Sequence, residues 1–443
     1  MLTSLKKIGR AVIPKSIFRA LQPTYHGAMA QLASLYFGNP SSKLFVIGVT
    51  GTAGKSTTVL MTAKILNFAN FQTGYITTTG FSDGTNSVLN KHGLSMPGGW
   101  LLQKQLREML NAGCKFAVVE CTSEGLAQNR HLGINFQSAL FTNLSPAHLD
   151  SHGSFENYRK AKGKLFEALS FSSNDKRNQK ILGVNLDDPN RNFFLNFPAT
   201  KKFGVSMRED IDKPQGLKTF KATNIQVTNK ISFTVEDTYF ELNLFGTFNT
   251  TNALLAIGVA NEIGVSLETC SKALSEIGNV PGRMETFTAK NGATVIVDYA
   301  PEPAGMLASL KTISAMPHNK IIHVFGSTGG HRDVAKRFDF GEISAEFADS
   351  IIITNDDVYD SNPEDIAKNI EEGIEKTKAS GKLKTSNIEK ELDRKEAIKK
   401  AIELAQEKDV VLITGKGSEQ FLVLPNNERI AWDDREIVKE FLN

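Results

Sequence analysis

Thr50-Gly51-Thr52-Ala53-Gly54-Lys55-Ser56 follows the apolar run 44–49 and opens a helical pattern over 56–67. A buried strand that ends in a glycine-rich turn and passes into a helix gathers several backbone N–H groups around one point. Glycines permit the inward turn, and the helix N-terminus adds its positive end. Lys55 reaches the β/γ oxygens of a nucleotide, and Ser56 offers a hydroxyl to Mg²⁺. The general phosphate-loop pattern has Gly where Val49 stands, so the match is a variant. A glycine-rich turn with an incidental lysine is the plainer alternative, and the strand–turn–helix context argues against it.

Working outward, strand-like apolar runs recur at 116–120, 138–142 and 180–186, with helical stretches between them. Continuous rather than alternating apolar strands indicate a parallel sheet covered on both faces. The fold class is therefore α/β, with a P-loop-type central domain of mostly parallel sheet. Short alternating segments at 231–235 and 239–244 predict a β-rich excursion at its edge, and 251–263 returns to helix. Pro281-Gly282-Arg283 punctuates the chain as a linker. A second, Rossmann-like α/β series follows, with strands expected at 294–298, 320–325, 350–354 and 410–414. Helices are expected near 304–313, 335–347 and 363–376, and the Lys-rich stretch 376–390 reads as a solvated helix end and loop. Three segments result: 1–43, 44–281 and 282–443.

A phosphate loop needs an acid at the end of a neighbouring strand to hold its metal. Glu120, closing Phe116-Ala117-Val118-Val119-Glu120, is placed for that, although a Glu there can also be an ordinary surface residue. The segment 141–150 follows the next strand to the same sheet edge, so His148 and Asp150 are candidates for a second cation's ligand and its partner. Lys160, Lys162 and Lys164 taken alone read as a basic helix face.

The chain has 443 residues, 51 Lys+Arg and 48 Asp+Glu, for a net charge of +3. Residues 1–43 carry six of the basic groups and no acid, so the remainder is close to neutral. That excludes broad coating of nucleic acid, which needs a dense phosphate-neutralising surface. At 40% hydrophobic and 22% charged, whole-chain disorder is excluded as well. Three scattered cysteines suit reduced thiols in a cytoplasmic protein. No apolar run approaches the ~18 residues of a membrane span. The basic arm lacks the uninterrupted apolar stretch of a signal peptide but shares the acid-free composition of a transit peptide. With a helix expected over 23–40, it fits a surface attracted to anionic lipid or to a phosphorylated substrate.

Taken together, these motifs resemble the Mur ligase family, most closely its UDP-N-acetylmuramoyl-tripeptide synthetase branch. The matching segments are Gly51-Thr52-Ala53-Gly54-Lys55-Ser56-Thr57-Thr58, 143–153, Phe248-Asn249-Thr250-Thr251-Asn252, Gly282-Arg283-Met284-Glu285, Asp298-Tyr299-Ala300, Arg332-Asp333 with Lys336-Arg337, and Gly415-Lys416-Gly417-Ser418-Glu419. They run in family order across nearly the whole chain. The resemblance implies ATP- and Mg²⁺-dependent amide-bond formation in peptidoglycan synthesis. A carboxylate of a UDP-muramoyl peptide is phosphorylated, and the acyl phosphate is attacked by a free amino acid's amine. It implies that Lys55 and Ser56 hold phosphates and metal, with Gly51, Thr52, Gly54 and Thr57 around the nucleotide. Glu120 and His148 hold metals, and Lys162 matches a carbamylated lysine, a CO₂ adduct whose negative charge supports a cation. Asn252, Arg283 and Asp298 match nucleotide contacts. Gln128, Arg130, Asp356, Asp357, Gly417 and Glu419 approach the substrates.

Three departures qualify the resemblance. Only 43 residues precede the first strand where the family has a UDP-gripping domain, so a reduced site using the basic arm is expected. Pro301 and Glu124 stand where the family has His. Tyr359 stands where diaminopimelate-adding members have the Arg of Asp-Asn-Pro-Arg, which removes a bidentate carboxylate clamp. The acidic residues Asp356, Asp357 and Asp360 suit a cationic side chain such as lysine's, or form an exposed acidic loop. The alternatives to a tripeptide synthetase are a folylpolyglutamate- or poly-γ-glutamate-type ligase and a non-catalytic nucleotide-binding scaffold.

Overall fold

The computed structural model describes residues 15–90, 96–147, 149–170, 179–228, 230–330, 334–385 and 387–442. His148, Arg332 and Asp333 of the sequence reading lie outside these residues. Among the described residues the first sheet has eleven strands. They are β1 (Phe45–Thr50), β2 (Thr73–Ile76), β3 (Gly80–Ser82), β4 (Ser87–Leu89), β5 (Phe116–Glu120), β6 (Phe136–Phe141), β7 (Ile181–Asn185), β8 (Lys201–Ser206), β9 (Lys218–Val227), β10 (Ile231–Val235) and β11 (Thr238–Leu242). Their order is β11-β10-β9-β8-β7-β6-β1-β5-β2-β3-β4. From β9 to β2 every neighbouring pair is parallel, and antiparallel hairpins extend both edges.

The phosphate-loop strand β1 therefore sits deep in the sheet, between β5 and β6. Its alternate side chains go to opposite faces. Ile47 and Val49 join a core beneath the helices Lys55–Phe68 and Phe248–Ile263, and Val46 joins the core beneath Gly99–Asn111 and Phe155–Ser170. Burial on both faces is why the strand reads as continuously apolar, and each wholly buried Val, Leu or Ile stabilises the fold by roughly 1.5–3 kcal/mol. The helix Phe248–Ile263 is buried at every position from Asn249 to Ala260, as expected of one apolar on all sides.

The second sheet contains β12 (Glu285–Thr288), β13 (Thr294–Asp298), β14 (Ile321–Phe325), β15 (Ser350–Ile353), β16 (Asn387–Lys390) and β17 (Val410–Thr414), in the order β12-β13-β17-β14-β15-β16. All pairs are parallel except the β12–β13 hairpin. The chain passes between the sheets through a tight turn at Val280 and Arg283. Gly282 there has φ +61°, and a Cβ on it would strike the backbone of Gly417 and Ser418.

Two expectations need correction. The N-terminal helix spans Lys15–Tyr36 rather than 23–40: it carries Pro23 inside it and ends before Pro40, which opens a separate short 3₁₀ turn. Prolines favour first turns, which misplaced the start. The β-rich excursion lies at the edge as expected, with β9 to β11 extending the central sheet. Residues 387–390 form strand β16, whose largely exposed polar side chains gave no apolar signal.

Candidate active site

Parallel strands deliver their C-terminal ends to one edge, so the loops after β1, β5 and β6 converge. The phosphate loop is braced there by Asn143, whose Oδ1 accepts from Ala53 N at 2.9 Å and whose backbone carbonyl accepts from Thr52 N at 2.8 Å. Gly54 has φ +81°, and a Cβ on it would run into the side-chain carbonyl of Asn252, so glycine is required twice over. Thr57 and Asn252 are buried behind the loop.

Glu120 is 2% exposed, not a surface residue. Its carboxylate accepts from Ser56 Oγ at 2.7 Å and from the Thr78 backbone and hydroxyl at 2.9 and 2.8 Å. Lys55 Nζ turns back to the Thr52 carbonyl at 2.9 Å, and Lys162 Nζ reaches the Gly51 carbonyl at 2.8 Å. Lys162 is not part of a basic surface face. It is 1% exposed, whereas Lys160 is in water and Lys164 bonds Asn129 at 2.9 Å. Desolvation holds the Lys162 amine well below its ordinary range, with the Lys55 charge adding to the effect and Glu120 opposing it. Lys55 is also lowered by desolvation, opposed by Glu120 and helped by Arg283.

Across from this edge lie the carboxyl ends of β13, β14, β15 and β17. A cavity of about 260 Å³ has Gly51, Thr52, Lys55, Glu120, Arg130 and Lys162 on one side, and Tyr299, Asp356, Asp357, Gly415 and Glu419 on the other. It adjoins an open cleft of about 800 Å³ lined in part by Gln128, Asp150, Glu302, Tyr359 and Asp360. Arg283 bridges the two sides: its guanidinium lies 4.3 Å over the Tyr299 ring and 3.4 Å from Ser56 Oγ. Arg130 donates to Gln128 Oε1 and to the Met96 carbonyl, which fixes both residues at the cavity wall.

Some predicted residues are arranged otherwise. The Asp298 carboxylate is turned into the hinge, accepting from Met284 N at 3.2 Å, Tyr299 N at 2.9 Å and Ser309 Oγ at 2.5 Å, and it lines neither cavity. The acidic trio is split. Asp360 is exposed, whereas Asp357 is buried with Lys416 at 2.8 Å, and Lys416 also holds Glu419 at 2.5 Å. Asp357 thus has an internal cation, and the trio is not one acidic loop. Gly417 packs against the hinge at Gly282 and Tyr299.

Sequence reasoning missed Tyr158 and Thr78. Tyr158 shares a 3.0 Å hydrogen bond with the Thr52 hydroxyl, and Lys162 Nζ lies 4.4 Å over its ring. The i, i+4 spacing of Tyr158 and Lys162 was the available signal. Thr78 lies just past β2, the neighbour of β5, so the run Thr77-Thr78-Thr79 was bound to reach the same edge. Among the described residues no three His, Cys, Asp or Glu side chains converge to hold a metal. The oxygen set of Ser56, Thr78 and Glu120 suits Mg²⁺, which takes one or two carboxylates together with nucleotide phosphates.

A phosphate loop on one parallel sheet, facing the carboxyl edge of a second across a hinge, is the layout of a nucleotide-using α/β enzyme with its site between the two sheets. Residues 49–260 match the Mur ligase middle domain, and residues 282–417 match the Mur ligase glutamate ligase domain. The chain belongs to the Mur ligase family. It is 35% identical over 412 residues to UDP-N-acetylmuramoyl-L-alanyl-D-glutamate–2,6-diaminopimelate ligase of Geobacillus kaustophilus, covering 93% of this chain and 81% of that protein. It is 36% identical over 422 residues to UDP-N-acetylmuramyl-tripeptide synthetase of Roseiflexus sp., covering 93% and 81%. A solved UDP-N-acetylmuramoyl-L-alanyl-D-glutamate–2,6-diaminopimelate ligase superposes with TM-score 0.60 at 27% identity, over 94% of this chain and 82% of that one. The folylpolyglutamate synthase of Mycobacterium tuberculosis shares the fold, with TM-score 0.66 at 16% identity over 90% and 96%.

Proposed function

We propose that the chain joins a free amino acid to the terminal carboxylate of a UDP-muramoyl dipeptide, using ATP. The observation that carries this is the gathering of Lys55, Ser56, Glu120 and Lys162 at one sheet edge, with Arg283 reaching them from the hinge. The phosphate-loop amides and Lys55 bind the nucleotide phosphates, and Ser56 with Glu120 holds Mg²⁺. The metal, when bound, neutralises phosphate charge. Burial, with the Lys55 charge beside it, favours the neutral form of the Lys162 amine, which is the form that adds CO₂; as an anionic carbamate Lys162 would replace cation–cation repulsion by attraction. Arg283 adds positive charge where the γ-phosphoryl group leaves ATP.

The reaction then balances simply. The carboxylate oxygen attacks the γ-phosphorus and ADP leaves; the neutral amine attacks the carbonyl carbon, its nitrogen gives up a proton, and the acyl C–O bond breaks to release phosphate as the amide forms. Gln128 and Arg130 position the peptide, and the loops after β15 and β17 face the incoming amino acid. Glu124, Asp150 and Asp360 on the larger cleft favour an amino acid bearing a second amine, whereas Glu302 there already pairs with Lys336 at 3.7 Å. Tyr359 in place of an Arg offers no clamp for a second carboxylate.

Phosphate release with UDP-muramoyl dipeptide and a panel containing lysine, diaminopimelate, glutamate and alanine tests this reading. Release dependent on the dipeptide and on a diamino acid is expected. Release only with a poly-glutamate acceptor indicates the folylpolyglutamate type, and none with any pair indicates a scaffold.

A further inference from the structure

The helix Lys15–Tyr36 is apolar on two opposite sides. Between Arg19 and Lys43 the sequence has no Asp, Glu, Lys or Arg. One side presents the small residues Gly27, Ala30, Ala33 and Ser34 to the central domain, where Gly99 and Gly133 allow close approach and Ser34 Oγ donates to the Gly133 carbonyl at 2.9 Å. The other side faces outward with Leu21, Tyr25, Leu32, Leu35 and Tyr36, each between 53% and 72% exposed. Trp100 extends the patch, its ring 5.0 Å from that of Tyr36.

A surface helix ordinarily turns charged residues to solvent, and a contiguous apolar patch of this kind marks an interaction site. We propose that this face docks on a bilayer containing anionic phospholipid. The charge distribution selects that occupant. Five basic residues, Lys6, Lys7, Arg10, Lys15 and Arg19, immediately precede the stripe, and residues 1–43 contain no acid. The spacing 21, 25, 28, 32, 35 would also pair two helices, but a second copy would bring another basic, acid-free arm to the interface. An anionic headgroup layer neutralises the arm while the acyl boundary receives the leucines, and stable attachment needs both contributions. Tyr25, Tyr36 and Trp100 have the amphipathic rings that settle at headgroup depth. No helix among the described residues is long and apolar enough to cross a membrane, so this one lies along the surface. Gln22 and Pro23, next in sequence to Leu21, line the large cleft, so docking sets that cleft beside the bilayer.

Flotation of the full chain with phosphatidylcholine vesicles, with and without about one third phosphatidylglycerol, tests the proposal. Recovery with the anionic vesicles alone is expected, weakened by added salt and reduced at least about tenfold in Leu32→Glu/Leu35→Glu. An unchanged melting temperature shows that the double variant is folded, and Tyr25→Ser serves as a milder second change. Three results overturn the proposal: no recovery with anionic vesicles, recovery indifferent to the double variant, or a dimer in light scattering that the double variant converts to monomer without any vesicle binding.

Discussion

Lys162 gains its chemistry from position alone. Four residues beyond Tyr158 on one helix, it is carried inward over that ring to the Gly51 carbonyl, where water cannot support its charge. Lys162→Ala should lose nearly all phosphate release and regain part of it with millimolar acetate, whereas full activity without acetate would remove the carbamate. Titration adds an independent check. The folded amine lies below its ordinary 10.5, so in the window between the two values the unfolded chain binds the extra proton. Native stability therefore rises with pH through that window. In CO₂-free buffer, where the amine is free, the native protein's denaturant midpoint should climb relative to that of Lys162→Met as the pH rises toward 10.5. Lys55→Ala should lower turnover more than about tenfold, measured with saturating peptide, because the phosphates lose their positioning cation.

At the scale of elements, the best-anchored side chain in the second domain is Arg394, at the start of the helix Arg394–Leu404. It forms a bidentate pair with Asp434 at 2.8 and 2.7 Å and donates to the carbonyls of Asn355 and Thr414. One guanidinium thus ties the C-terminal helix Asp434–Phe441 to the loops after β15 and β17. Both side chains are fully buried, so Asp434→Ala should cost about 3–5 kcal/mol in urea unfolding by leaving a buried charge unpaired. None of this was visible in the sequence, because two residues 40 apart announce no pairing until the fold brings them together. The apolar strands were legible, since burial on both faces writes an uninterrupted signature: β5, β13 and β17 were placed to the residue. Polar β16 was not. The phosphate loop and Glu120 were legible because topology sends them to one edge, whereas the hinge-facing turn of Asp298 depends on the path of residues 282–285, which no motif encodes.

At the scale of the molecule, Arg283 touches both Ser56 at the phosphate loop and Tyr299 beyond the hinge. Arg283→Ala should raise the Michaelis constant for ATP and lower turnover together, since it serves both nucleotide charge and domain approach. Loss of one without the other would separate those roles. ATP at about a hundred times its dissociation constant should stabilise the native protein by about 2.7 kcal/mol in thermal unfolding, and the Arg283 variant by less at the same concentration. The hinge itself carries a consequence for anyone who would divide the chain. Gly282 meets Gly417 and Ser418 backbone to backbone, and the Gly282 carbonyl accepts from Tyr299 N at 2.9 Å. A cut at 281 would therefore leave the first fragment ending in a bare turn, while the second kept its own crossing intact. Two such polypeptides, mixed, would have to rediscover the approach of the two sheets with no tether to hold Arg283 over the loop, and reassembly would depend on nucleotide to hold them in register.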